Sequence, residues 1–113
     1  MNNYQVDRER WNEMGLINQM ANIYSEVGRT IKWRASENDF QAAFARALDL
    51  FSATTEYLVS THQKARLKEL LRSRDQFMNL FFGDKKASEA DCKSLENYFM
   101  YFALAARAEH LRS

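Results

Sequence analysis

Between Leu16 and Trp33 the chain places Ile17, Met20, Tyr24, Val27 and Ile31 at spacings of three and four. Residues so spaced line one side of a helix, and the stretch reads as a helix with one buried face. A second stripe of Phe40, Ala43, Phe44, Ala47, Leu48, Phe51, Thr54 and Leu58 persists to about Val59. Leu67, Leu70, Leu71, Phe77, Met78 and Phe81 form a third, and Leu95, Tyr98, Phe99, Phe102, Ala105 and Ala106 a fourth. The periodicity predicts helices over about 16–33, 37–59, 63–82 and 88–111, with an N-terminal arm over 1–15.

The punctuation between the stripes is sparse, because the chain has no proline and three glycines. Asp7 is placed to cap a short turn containing Trp11 and Met14, and Gly15 to mark its junction with the main helix, although a continuous helix also fits. Gly28 falls inside the first stripe, where it costs about 1 kcal/mol relative to Ala; the expected compensation is close approach of a neighbouring helix. Ser36 with Asp39, and Ser88 with Asp91, have the spacing of a capping box. Ser60, Thr61 and His62 make a weak break of poor helix formers, Gly83 reads as a helix C-terminal glycine, and Asp84 to Ala87 as a polar loop. Short connections between long helices favour antiparallel neighbours. The expected fold is all-α, an antiparallel up-down-up-down four-helix bundle in a single domain over 1–113.

Composition supports that reading and narrows the function classes. A chain of 113 residues buries roughly 65% of its unfolded surface on folding, enough for one core. With 46% hydrophobic and 13% aromatic residues it is far from a disordered composition. The lone Cys92 cannot form an internal disulfide, and Met1 to Arg10 lacks the apolar run of a signal peptide, so a cytoplasmic location is expected. No apolar run approaches the roughly 20 residues that span a bilayer. The net charge of +1 means that any nucleic-acid binding must rest on a local patch.

Candidate chemistry is thin. His62, His110 and Cys92 are not at metal-ligand spacing, and the residues three before the histidines are Val59 and Arg107, which excludes the Glu-x-x-His pairs of di-iron bundles. No cofactor and no catalytic set is expected. Arg107 and His110, three apart on one helix, distantly resemble the Arg and His of HEPN-type RNases, which are separated by four to six residues where only two stand here.

The charged features are more suggestive. Lys64, Arg66, Lys68, Arg72 and Arg74 are opposed locally only by Glu69 and Asp75, and Lys64, Lys68 and Arg72 follow an i, i+4, i+8 line suited to tracking phosphates. A solvated face paired with nearby acids such as Glu89, Asp91 and Glu96 is the plainer account. Arg29, Lys32, Arg34 and Arg46 form a second basic cluster around the first interhelical turn, where Trp33 has the chemistry to stack on a base or to cover the core. Cations there also complement the negative end of a helix, and Glu26 with Arg29 has the spacing of a helix-surface pair.

The passage Glu26-Val27-Gly28-Arg29, a polar turn, then Ser36-Glu37-Asn38-Asp39-Phe40 and Phe44-Ala45-Arg46-Ala47-Leu48 resembles a family of small bacterial four-helix-bundle proteins. These are encoded in ribosomal RNA intervening sequences, and their relatives are the accessory variability proteins of diversity-generating retroelements. The resemblance covers residues 26 to 48, and it implies a barrel-like homo-oligomer, often a pentamer, whose basic surface binds nucleic acid. In the retroelement branch it also implies a reverse transcriptase as protein partner.

The expectation from the sequence is therefore a non-enzymatic, self-associating helical adaptor that binds RNA or DNA, or a nucleic-acid-processing partner, through the two basic clusters. One alternative is a protein-only interaction module using Tyr4, Trp11, Tyr57, Phe82 and Tyr101, which fall beside or off the main stripes. Another is a HEPN-like RNase or toxin-antitoxin component.

Overall fold

A computed structural model describes residues 5–83 and 88–112. Four helices, α1 (Arg8–Lys32), α2 (Glu37–Ser60), α3 (Lys64–Phe82) and α4 (Glu89–Arg112), account for nearly all of them, with no strand among the described residues. Tyr4 and the expected loop over 84–87 lie outside the described residues.

The cross-helix contacts give the topology. Arg8 meets Asp49 and Glu56 while Glu26 meets Arg46, so α1 and α2 run antiparallel. Phe40 and Phe44 lie against Phe81, and Glu69 meets Tyr98 while Arg66 lies over Phe102, which sets α3 antiparallel to both α2 and α4. Arg34, just past α1, reaches Glu89 at the start of α4. The expected up-down-up-down bundle is thus the fold, measuring 39 × 33 × 28 Å. α1 packs closely on α2 and α4, whereas α3 is held chiefly by α2.

Aromatic rings knit the core. Phe77 of α3 stacks on Phe44 at 5.4 Å and touches Phe51 at 5.6 Å, and Phe51 meets Phe99 of α4 edge-on at 5.8 Å. Such pairs add about 0.5–1.5 kcal/mol each beyond the area they bury.

α1 begins eight residues before the expected start at 16. Asp7 caps it by accepting from the backbone N–H of Glu9 and Arg10, and Trp11 is buried in the core with its indole N–H donating to Thr54 Oγ1 at 2.9 Å. The helix is nonetheless interrupted at Gly15, whose φ of 80° and ψ of 166° lie in a region open essentially only to glycine. Carbonyls at the end of such a first segment lack regular helical donors. Side-chain amides serve them here: Gln19 Nε2 donates to Trp11 O at 2.9 Å and Asn18 Nδ2 to Met14 O at 3.1 Å. Gln19 is wholly buried.

Elsewhere the caps and glycines meet the expectation only in part. Ser36 forms neither half of the box: its hydroxyl donates to Asp39 Oδ2 and makes no cap bond to the helix backbone, and its N–H donates to Trp33 O at 2.9 Å, not to the Asp39 carboxylate. Ser88, by contrast, forms the full reciprocal box, donating from its N–H to Asp91 Oδ2 at 3.0 Å while its Oγ accepts from Asp91 N–H at 3.1 Å. The Ser88 N–H bond first, and the interaction of the Ser88 hydroxyl with the same carboxylate second, hold the Asp91 carboxyl below its ordinary pKa. Gly28 is not a close-approach site, since a Cβ there would meet nothing within 4 Å. Gly83 does end α3, but at φ −77°, outside the left-handed region; a Cβ there would lie 2.7 Å from Asn79 O, so crowding against the last turn selects glycine. The left-handed residue is instead His62, φ 55°, where the bonds from His62 N–H to Val59 O and Gln63 N–H to Leu58 O close α2 in a Schellman motif.

Candidate nucleic-acid interface

α3 turns Leu70, Ser73 and Phe77 into the core. Its opposite side carries Lys64, Lys68, Arg72, Asp75, Asn79 and Phe82, at steps of four, four, three, four and three, and all six are exposed. This is one continuous strip about 27 Å long at 1.5 Å per residue. Lys64, Lys68 and Arg72 take part in none of the ion pairs formed among the described residues. Asp75 is the one acid on the strip.

The charge on α3 runs against what helix stability favours. Its first turn carries Lys64 and Arg66 and no acid, Gln63 at the N-cap makes no side-chain cap bond, and the last turn has no cation. A helix N-terminus carries roughly +0.5 elementary charge, so cations there are destabilising. Local rules broken in this way are characteristic of functional positions.

The other two basic residues of α3 are engaged within the chain. Arg66 pairs with Glu69 at 3.5 Å and sits 6.0 Å from the centre of the Phe102 ring. The same Glu69 carboxylate accepts from the Tyr98 hydroxyl at 2.8 Å; burial first, and this bond second, raise the Tyr98 pKa well above its ordinary value. Arg74 is half-buried, with its Nε enclosed by protein.

The second basic cluster is largely a structural lock. Glu26, 9% exposed, accepts from Arg29 Nη1 at 2.7 Å and from Arg46 Nε at 3.2 Å, tying α1 to α2. Arg34 donates to Ile31 O at 2.9 Å and pairs with Glu89. Trp33 is half-buried as the C-cap of α1. Lys32 alone of this group is exposed and outside the ion pairs formed among the described residues. Of the nine cations singled out in the sequence, the fold therefore brings Lys64, Lys68 and Arg72 together as an exposed line, sets Lys32 apart from them on α1, and commits the remaining five to internal contacts or partial burial. Glu89 and Asp91 do not neutralise the α3 line, because one pairs with Arg34 and the other caps α4.

A second exposed surface lies on α4. Cys92, Leu95 and Phe99 face the core, while Tyr101, Leu104, Ala108 and Leu111 recur at i, i+3, i+7 and i+10 on the opposite side and are all exposed. Tyr101, Leu104 and Leu111 are 72%, 55% and 74% exposed. The sequence stripe through Phe99 and Phe102 captured only the inward side of this helix. The signal for the other was the apolar content of both faces in its C-terminal half. Of the residues expected at a partner surface, Phe82 and Tyr101 are exposed, Tyr57 packs against the core, and Trp11 is part of the core. Burial of its indole with a hydrogen bond to Thr54 removes Trp11 from any interface.

Arg107 and His110 lie on exposed turns near the end of α4, and a shallow cavity of about 280 Å³ is lined by Asn18, Ala106, Glu109 and His110 without Arg107. Among the described residues no cluster of three or more His, Cys, Asp or Glu is arranged to hold a metal, and no helix is long and apolar enough to cross a membrane. Burial raises the Cys92 thiol pKa, outweighing the nearby Arg34, so the sulfur behaves as a small apolar core group.

No known family, curated protein or solved structure matches the chain. What the molecule shares with the family suggested by residues 26 to 48 is the four-helix bundle itself.

Proposed function

We propose that the protein is a non-enzymatic binding module that holds the phosphate backbone of a nucleic acid along the outward side of α3 and self-associates through the outward side of α4. The observation that carries the first part is the placement of Lys64 in the first turn of a helix, at its positive end, with Lys68 one turn further on, both exposed and outside the ion pairs formed among the described residues. Stability gains nothing from cations at that end. A line of positive charge on a nearly neutral protein does favour polyanions locally.

Three cations supply only modest affinity, so repetition of the line in an assembly matters. The apolar strip from Tyr101 to Leu111 supports such an assembly, because contiguous exposed apolar surface of this kind is characteristic of protein interfaces. A reverse transcriptase or another nucleic-acid-processing protein is a compatible further partner.

Fluorescence anisotropy with a labelled oligonucleotide at about 50 mM salt tests the reading, since phosphate-driven binding is strong there. The wild type binds and the combined Lys64→Glu, Lys68→Glu, Arg72→Glu variant does not; no binding by the wild type sinks the proposal. Light scattering tests the second part. The expected mass is a multiple of the chain mass that falls to one chain in Leu104→Glu, and a monomeric wild type contradicts self-association.

A further inference from the structure

The line of cations on α3 ends at an aromatic ring. Phe82, the last residue of the helix, is 64% exposed although it is among the largest apolar side chains of the molecule. One side of the ring is fixed: it meets Phe44 edge-on at 5.3 Å and Phe40 at 6.4 Å. Those rings are themselves held by Phe81 and Phe77, at 5.0 Å from Phe40 and 5.4 Å from Phe44. Phe82 is therefore a supported platform, with packed rings beneath it and solvent before it.

From this placement we infer that the α3 strip is a single-strand site, in which Lys64, Lys68 and Arg72 track phosphates and an unpaired base stacks on Phe82. The inference rests on the reading of α3 as a phosphate-binding face and deepens it by naming the form of nucleic acid. Phe82 lies on the same side of the helix as the three cations, about 15 Å beyond Arg72 at 1.5 Å per residue, a span that a few nucleotides of an extended strand bridge. Between them Gln76 and Asn79 are exposed and offer amide hydrogen bonds to sugar or base. A duplex keeps its bases paired and stacked and meets only the cations; a single strand can present a free base face to the ring. Combination of a basic track with an aromatic platform is how sequence-tolerant single-strand sites gain affinity.

The test compares an unstructured single-stranded 12-mer RNA with a blunt duplex of the same length, by fluorescence anisotropy at about 50 mM salt. The proteins are the wild type, Phe82→Ala, Phe82→Leu and Phe82→Trp. The expected result is loss of single-strand affinity by about fivefold or more in the Ala and Leu variants, with duplex affinity within about twofold of wild type and single-strand affinity retained in the Trp variant. The Trp variant should also show quenching of its added emission by the single strand and not by the duplex. Leu keeps the apolar contact with Phe40 and Phe44 while removing the stacking ring, so it separates stacking from folding. Unchanged single-strand binding in both Ala and Leu variants, or equal loss for strand and duplex, overturns the inference while leaving the phosphate face standing. Absence of binding to either form by the wild type overturns the phosphate face and this inference with it.

Discussion

Reversing the charge at Lys64 should stabilise the fold while weakening nucleic-acid binding. Lys64 is the first residue of α3, in a first turn that has no acid and beside an N-cap that makes no side-chain cap bond. A charge near a helix end is worth about 0.3–1 kcal/mol, and Lys64→Glu counts it twice, since an unfavourable interaction is removed and a favourable one installed: about 0.6–2 kcal/mol. The i, i+4 pair with Lys68 changes from repulsion to attraction in the better orientation, adding about 0.4–1 kcal/mol. Exposure and salt screening favour the lower part of the combined range, so the expected gain is about 1–1.5 kcal/mol. For a chain of this size that is a rise of about 5 °C in Tm. Thermal unfolding followed by circular dichroism at low salt reads it directly. The gain should shrink in about 1 M salt, where the Debye length falls to about 3 Å. An unchanged or lowered Tm at low salt would refute the claim that the cations of α3 are held against the interest of stability.

Three further outcomes test the fold beneath the site. Thr54→Val keeps the volume but strips the indole N–H of buried Trp11 of its acceptor, and should cost about 1–3 kcal/mol in urea unfolding; a change within experimental scatter contradicts the role of that bond. Gly28→Ala should stabilise by about 0.8–1 kcal/mol, because the site is helical and open; destabilisation would show that a neighbour packs there after all. The lowered Asp91 pKa has a defined sign: the capping box contributes fully above the unfolded carboxyl value near 3.8 and is lost as pH falls through the folded value beneath it. Carbon-detected NMR titration should place Asp91 below 3.8, and Ser88→Ala should move it upward; no movement would detach the shift from the box.

The stripes of Phe, Leu and Ile carried most of the architecture, because side chains at three- and four-residue spacing leave a helix little choice of face. Asp7, Gly15 and the Ser88–Asp91 box were legible for the same reason, each being a local device whose partners lie within a few residues. What escaped the sequence was set by partners far along the chain. Trp11 reads as an outlying aromatic until Thr54 is seen to take its indole N–H, and Arg46 reads as part of a basic patch until it joins Arg29 on Glu26. The Ser36 box fails because its hydroxyl turns to the Asp39 carboxylate and its N–H is spent on Trp33, in a turn that no spacing rule reveals. At the candidate site the i, i+4, i+8 line was visible in the sequence, whereas the exposure of Phe82 at its end depends on how Phe40 and Phe44 receive one side of the ring.

The salt dependence of binding measures how many of these cations meet phosphate. With three contacts per chain, a plot of log K against log salt should have a slope of about −2 for a single strand and about −3 for a duplex for each binding protomer, and the combined Lys64→Gln, Lys68→Gln, Arg72→Gln variant should flatten it towards zero. A variant that keeps the wild-type affinity and slope would contradict the assignment of the outward side of α3 as the nucleic-acid interface.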